Sequence, residues 1–152
     1  MESESVDIIT SGQAFHWFEP ESTKKEFLRI LKPDGFVVIC NNRRKFSNSQ
    51  FMNEYMELIA KYSEKESRNS LYGDLPKFFG LRTIHKEVFS NPQVFNLERL
   101  KGDLVSYSYI PNEEATNFNH MISEFELLFK KYSNNGTLIF DYETVLYYCK
   151  IK

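Results

Sequence analysis

Residues 5–42 read SVDIITSGQAFHWFEPESTKKEFLRILKPDGFVVICNN, and this stretch decides the fold. Val6 to Thr10 is short, β-branched and mostly apolar, and a run without polar alternation suits a strand covered on both faces. A loop follows, holding Gln13, Phe15, His16 and Trp17. Pro20 to Leu31 has helical spacing, with Thr23, Phe27, Ile30 and Leu31 on one face. Pro20 stands where a first helical turn tolerates proline. Lys32-Pro33-Asp34-Gly35 is expected to stop the helix, and Phe36 to Cys40 to form a second buried strand. Two apolar strands joined by one helix predict a right-handed βαβ unit with parallel strands. In such sheets ligands sit beyond the carboxyl ends of the strands. Ser11 to Trp17 and Asn41 to Arg43 therefore share one rim.

On the carboxyl side, Arg43 to Asn48 reads as a polar loop and Ser49 as the cap of a helix. Phe51, Met52, Tyr55, Met56, Leu58, Ile59 and Tyr62 give that helix its apolar stripe. Glu64 to Gly73 is charged and irregular, a candidate mobile loop, and Asp74 is the expected cap of a short helix ending at Gly80. Arg82 to Asn91 alternates like a strand. Asn96 is the expected cap of a helix from Leu97 to about Tyr107, and Asn112 that of a longer one with the stripe Phe118, Met121, Ile122, Phe125, Leu128, Phe129 and Tyr132. Asn134-Asn135-Gly136 supplies a left-handed stop. Thr137 to Tyr142 and Thr144 to Lys150 are strand-like around a bend at Asp141 to Glu143. There is no internal repeat, and the pattern shows no domain boundary.

Composition narrows the function. The 152 residues suit one domain, and 41% hydrophobic with 26% charged residues is ordinary for a globular chain. The 14 Phe and 9 Tyr favour a real core or an aromatic pocket. A net charge of −2 without a basic stripe gives no sequence-independent pull toward nucleic acid. No apolar run approaches the ~20 residues of a membrane helix. The first ten residues, MESESVDIIT, lack the basic and apolar regions of a secretory signal. Cys40 and Cys149 fall in strand-like segments and read as buried thiols of a reducing, cytoplasmic compartment, although a disulfide between them stays open. His85 and His120 stand alone, with no Cys or carboxylate at metal-ligand spacing, so no metal site is expected.

VDIITSGQAFHWF, then EFLRILKPDG, then FVVICNN resembles the second half of the class I S-adenosylmethionine-dependent methyltransferases. The nearest branch is the small-molecule group related to the ubiquinone/menaquinone methyltransferases. PQVFNLERLKGDLVSYSYIP and NNGTLIFDYETVLYYCKI are similar to later parts of that branch, so the resemblance covers nearly the whole chain. It implies an α/β fold: a partial Rossmann-like methyltransferase sheet in the order strands 4-5-7-6, the last antiparallel, with helices on both faces and a helical cap insertion. It also exposes a gap. The family's Gly-rich cofactor loop and the acidic residue ending its second strand belong before Val6, and no G-x-G-x-G occurs anywhere in the chain. The expectation is a single domain over 1–152 forming the C-terminal part of the fold, without the N-terminal cofactor-binding half.

Methyl transfer from a sulfonium is an in-line displacement, in which placing the nucleophile in a dry site does much of the work. The resemblance implies a catalytic His16, orienting or deprotonating an acceptor hydroxyl. It implies Ser11, Gly12 and Gln13 beside the cofactor, S-adenosylmethionine, and Phe15, Trp17 and Tyr109 around a small, partly apolar acceptor. Read as residues alone, these positions keep ordinary alternatives: Trp17 packing between strand and helix, His16 as a structural hydrogen-bonder, Asn41 to Arg43 as loop caps, and Tyr107 to Tyr109 as aromatic packing at a helix end. Without strands one to three, Val6 to Thr10 becomes an open edge, a pairing hazard that a two-fold contact closes cheaply. Two functions follow. The first is a methyltransferase that is inactive as this chain alone; the second is a non-catalytic module acting as an oligomer or binding partner. The expected partner is a second copy, through the 6–10 edge or the exposed apolar face, or else a chain carrying the missing half.

Overall fold

The computed structural model describes residues 1–45, 49–63 and 71–152, which pack as two compact units. The first holds the described residues among 1–43, 71–90 and 143–152, and the second those among 44–67 and 91–142.

The first unit carries a four-stranded sheet. Strand β1 (Val6–Gly12) leads through a short 3₁₀ turn (Phe15–Trp17) to helix α1 (Pro20–Ile30), and strand β2 (Leu31–Arg44) follows at once. Helix α3 (Leu71–Phe79), strand β3 (His85–Ser90) and strand β6 (Tyr142–Lys150) complete the set. The strand order is β1-β2-β6-β3. β1 runs parallel to β2, and β3 antiparallel to β6, with Val88 opposite Val145. Numbered as the family numbers its strands, this is the expected 4-5-7-6.

Local chemistry explains most boundaries. Pro20 opens α1, and the Glu19 carboxylate accepts the amides of Glu21 and Ser22 at 3.2 and 2.7 Å. The helix ends one residue earlier than its spacing suggests, because Leu31 is already the first residue of β2. Lys32 to Gly35 does not form a separate stop; it lies inside β2 as a bulge. Val6 pairs with Leu31 and Ile8 with Phe36, so four residues of β2 are passed over where Pro33 has no amide to give the ladder. Gly35 is required there: a Cβ would stand 2.6 Å from the Leu31 Cγ and 2.8 Å from the Asp7 carbonyl oxygen. The ladder also carries β2 through Arg44, beyond the expected end at Cys40.

β1 is not covered on both faces. Its only sheet neighbour among the described residues is β2, and Asp7, Ile8 and Thr10 are exposed, Ile8 by 55%. A β-branched apolar run marks a strand but does not say how many neighbours it has. The core of this unit lies under β2 and β6, where Leu31, Val37, Ile39, Val145, Tyr147 and Cys149 meet Phe15, Leu75, Phe78 and Phe79. α1 and α3 touch each other, and the remaining helices belong to the second unit. α3 starts by Leu71, so Asp74 lies within it rather than capping it; the rest of the loop expected over 64–73, residues 64–70, falls outside the described residues. Its end is as expected: Gly80 takes a φ of +68° and its amide reaches the Pro76 carbonyl at 2.8 Å. Cys40 and Cys149 are both free thiols.

The second unit packs helix α2 (Gln50–Tyr62), helix α4 (Leu97–Val105) and helix α5 (Phe118–Tyr132) with a two-stranded antiparallel sheet of β4 (Gln93–Asn96) and β5 (Thr137–Phe140). Ser49 and Asn96 cap α2 and α4 as expected, accepting the amides of Met52 and Arg99 at 3.4 and 2.9 Å. Asn112 does not cap α5; its amide oxygen accepts from Glu114 N, and the helix begins six residues after Asn112, at Phe118. The left-handed pair Asn135 and Gly136 (φ +49° and +71°) is not the helix stop. It forms a tight turn in which the Asn134 and Thr137 backbones bond both ways at 2.8 and 3.0 Å, turning the chain into β5. The core is aromatic: Phe51, Tyr55, Phe95, Phe125, Phe129 and Phe140 are all buried.

Candidate functional site

The carboxyl ends of β1 and β2 form the rim of the first unit. Ser11 is its one buried polar residue, 5% exposed, and the hydroxyl has no hydrogen-bond partner. The sharp turn after β1 falls on Gln13, whose φ is +53°, rather than on Gly12. Gln13 is held in that conformation by two bonds across the rim. Its amide donates to the Cys40 carbonyl at 3.0 Å, and its side-chain Nε2 to the Asn42 carbonyl at 3.2 Å. Asn42 Oδ1 accepts from the Thr144 hydroxyl at 2.7 Å, and Arg43 is paired with Glu143. Asn42 and Arg43, which lie inside β2, are thus tied into the sheet.

The 3₁₀ turn then divides its side chains. Phe15 points into the core, edge-on to Phe78 with ring centres 5.0 Å apart, so it packs the unit rather than walling a pocket. His16 and Trp17 face outward together, their rings 4.8 Å apart, and Trp17 is 68% exposed. Trp17 therefore does not pack between strand and helix. A 3₁₀ turn sends successive side chains to different sides, which is why three adjacent aromatic residues cannot all serve one purpose.

Tyr109 lies in the second unit, in a cluster of tyrosines around Arg44. Tyr107 and Tyr109 stack with ring centres 5.3 Å apart and planes 5° from parallel. The Arg44 guanidinium lies 4.4 Å from the centre of Tyr107 and 5.6 Å from that of Tyr55. Arg44 also donates toward the Tyr109 hydroxyl and the Met56 sulfur, each at 3.4 Å. Asp103 accepts from the hydroxyls of Tyr107 and Tyr142. Burial raises the pKa of the Tyr55, Tyr107 and Tyr142 phenols above the ordinary tyrosine range, so all three stay protonated donors. The sequence pattern places Arg44 in a polar loop and Tyr55 in a helix stripe. The signal for both was a cation at the end of an apolar strand followed by tyrosines on an otherwise aliphatic and phenylalanine face.

Residues 1–39 match the family model described as a methyltransferase domain. An uncharacterised methyltransferase of Schizosaccharomyces pombe is 27% identical over 97% of this chain and 60% of its own length. A second S. pombe protein, described as methyltransferase-like, is 24% identical over 97% of this chain and 59% of its own. A candidate type II methyltransferase from Anaeromyxobacter dehalogenans superposes over 99% of this chain and 67% of its own, with a TM-score of 0.69 at 14% identity. The chain is similar to class I methyltransferases in its first 39 residues and in its fold. The chain spans about 60% of the length of the curated relatives it matches. Among its described residues no group of three His, Cys, Asp or Glu is placed to hold a metal ion, and no helix is long and apolar enough to cross a membrane.

Proposed function

We propose that this chain is the C-terminal, acceptor-side part of an S-adenosylmethionine-dependent methyltransferase for a small molecule, of the ubiquinone/menaquinone-related branch, and that it does not transfer methyl groups by itself. The observation that carries the reading is β1: an outer strand whose carboxyl end presents a buried, unpartnered Ser11 hydroxyl beside the left-handed turn at Gln13. A buried hydroxyl without a partner costs roughly 1–3 kcal/mol, so it invites a ligand atom. That hydroxyl, with the Gly12 backbone and the Gln13 amide, fits one flank of a nucleoside cofactor. The chain's own 152 residues supply no Gly-rich loop for the other flank.

S-adenosylmethionine, when bound, supplies an electrophilic methyl group. His16 is free on the rim to orient an acceptor hydroxyl and take its proton, and Trp17 offers an aromatic face beside it. Phe15 is left out of this set because its ring is in the core. The chain works in the cytoplasm, in keeping with two free cysteines.

A second reading is favoured by the exposed β1 edge: a non-catalytic, methyltransferase-like module that pairs with a second copy across Val6 to Thr10, or with a chain carrying the cofactor half. Calorimetry with S-adenosylmethionine and S-adenosylhomocysteine tests the main reading. The chain alone should give no binding heat, and a longer polypeptide or a mixed complex that supplies the Gly-rich loop should bind. Micromolar binding by these 152 residues alone would overturn it.

A further inference from the structure

We propose that Arg44, Tyr55 and Tyr109 form a binding site for a small molecule bearing a carboxylate. The proposal stands on the second unit and needs neither the S-adenosylmethionine flank nor His16.

Arg44 is the last residue of β2 and is only partly exposed. A guanidinium carries five N–H donors in a fixed fork and is always charged. Here its described contacts are with neutral groups: a thioether, a phenol oxygen at the long distance of 3.4 Å, a hydrogen bond with the Tyr107 side chain, and two tyrosine faces. No ion pair joins Arg44 to a carboxylate among the described residues. Its neighbour in sequence, Arg43, is paired with Glu143, and Arg29 with Glu26. A partly buried charge without an opposite charge is unfavourable unless a partner arrives. Asp103, the carboxylate of the cluster, is taken by the hydroxyls of Tyr107 and Tyr142.

The second observation is independent. Tyr55 is completely buried, and its hydroxyl has no hydrogen-bond partner. Its ring is one of the two that Arg44 lies over. One neighbourhood therefore holds a fork-shaped cation with no carboxylate in ion-pair contact among the described residues and a phenol without an acceptor. A carboxylate answers both needs: two acceptor oxygens in the plane that matches the guanidinium fork, and lone pairs left over for a phenol. A single negative charge fits better than two, because Asp103 already places one carboxylate in the cluster and each further charge adds repulsion. The parallel Tyr107–Tyr109 pair favours a flat or apolar body behind the carboxylate.

The test uses the full chain and three probes: benzoate, its uncharged isostere benzamide, and inorganic phosphate. Ligands that bind the folded state raise Tm by mass action. Benzoate should raise Tm in a saturable way and bind at least about tenfold more tightly than benzamide or phosphate. Arg44→Gln should abolish the benzoate shift, and Tyr109→Phe should weaken it. The wild-type comparison of benzoate with benzamide decides the matter even if Arg44→Gln does not fold. Equal shifts from the two, no shift from benzoate, or tighter binding of phosphate would each overturn the proposal. None of these outcomes depends on whether S-adenosylmethionine binds, so the two readings fail separately.

Discussion

The rim of the first unit and the Arg44 cluster of the second solve opposite problems. The rim sits at the end of an open strand and shows its chemistry to solvent: His16 and Trp17 stand exposed, held by a backbone turn rather than by packing. The cluster is enclosed by tyrosines and holds polar atoms that have lost water without gaining a matching partner. Family motifs point to the first and buried polar accounting to the second. A site can thus be recognised by descent where it is exposed and by unmet electrostatic demand where it is closed.

The sharpest way to break this contrast is to truncate one ring in each region. Phe125→Ala removes a fully buried ring from the second unit and should cost about 3–5 kcal/mol in urea unfolding. Trp17→Ala should stay within about 0.5 kcal/mol of wild type, because the ring is exposed. A large loss from Trp17→Ala would mean that the rim is packed after all. Gly35→Ala probes the bulge that lets β1 and β2 pair. The new Cβ meets the Asp7 backbone and should cost about 1–3 kcal/mol by the same measurement.

Two smaller effects sharpen the second unit. Asn96→Ala should lose about 1 kcal/mol with the cap of α4, whereas Asn112→Ala, which caps nothing, should lose markedly less. The last prediction is pH dependence. Hydrogen bonds from Lys131 and Tyr132 to Glu54, and from Lys61 to Glu124, hold those two carboxyls below their ordinary value of 4.5. Folding therefore favours their ionised form. Their contribution is complete above the unfolded value and is lost as pH falls through the lower folded values. Thermal melts should be flat in this respect above about pH 5 and decline below about pH 4.5, weakly, since both groups are exposed to screening.

Much of the fold was legible in sequence because its signals are local. Helical stripes, the Ser49 and Asn96 caps and the Gly80 stop depend on neighbours within a few residues. What was not legible depends on contacts distant in sequence. The burial of β1 turns on how many strands flank it, and the Lys32 to Gly35 bulge on where β1 finds its register. β4 is four residues long and exists because β5 pairs with it. In the candidate site, the motif points to Gln13 and His16. The inward turn of Phe15 and the lack of an ion pair at Arg44 among the described residues depend on the three-dimensional arrangement.

The open edge at Val6 to Thr10 is the claim that separates the second reading, a self-pairing module, from the first, and sedimentation velocity of this chain at micromolar concentration tests that second reading most directly. A concentration-dependent dimer, lost when Ile8→Lys places a charge on the edge, is the predicted result. A clean monomer across the same range, with unchanged stability, would contradict it.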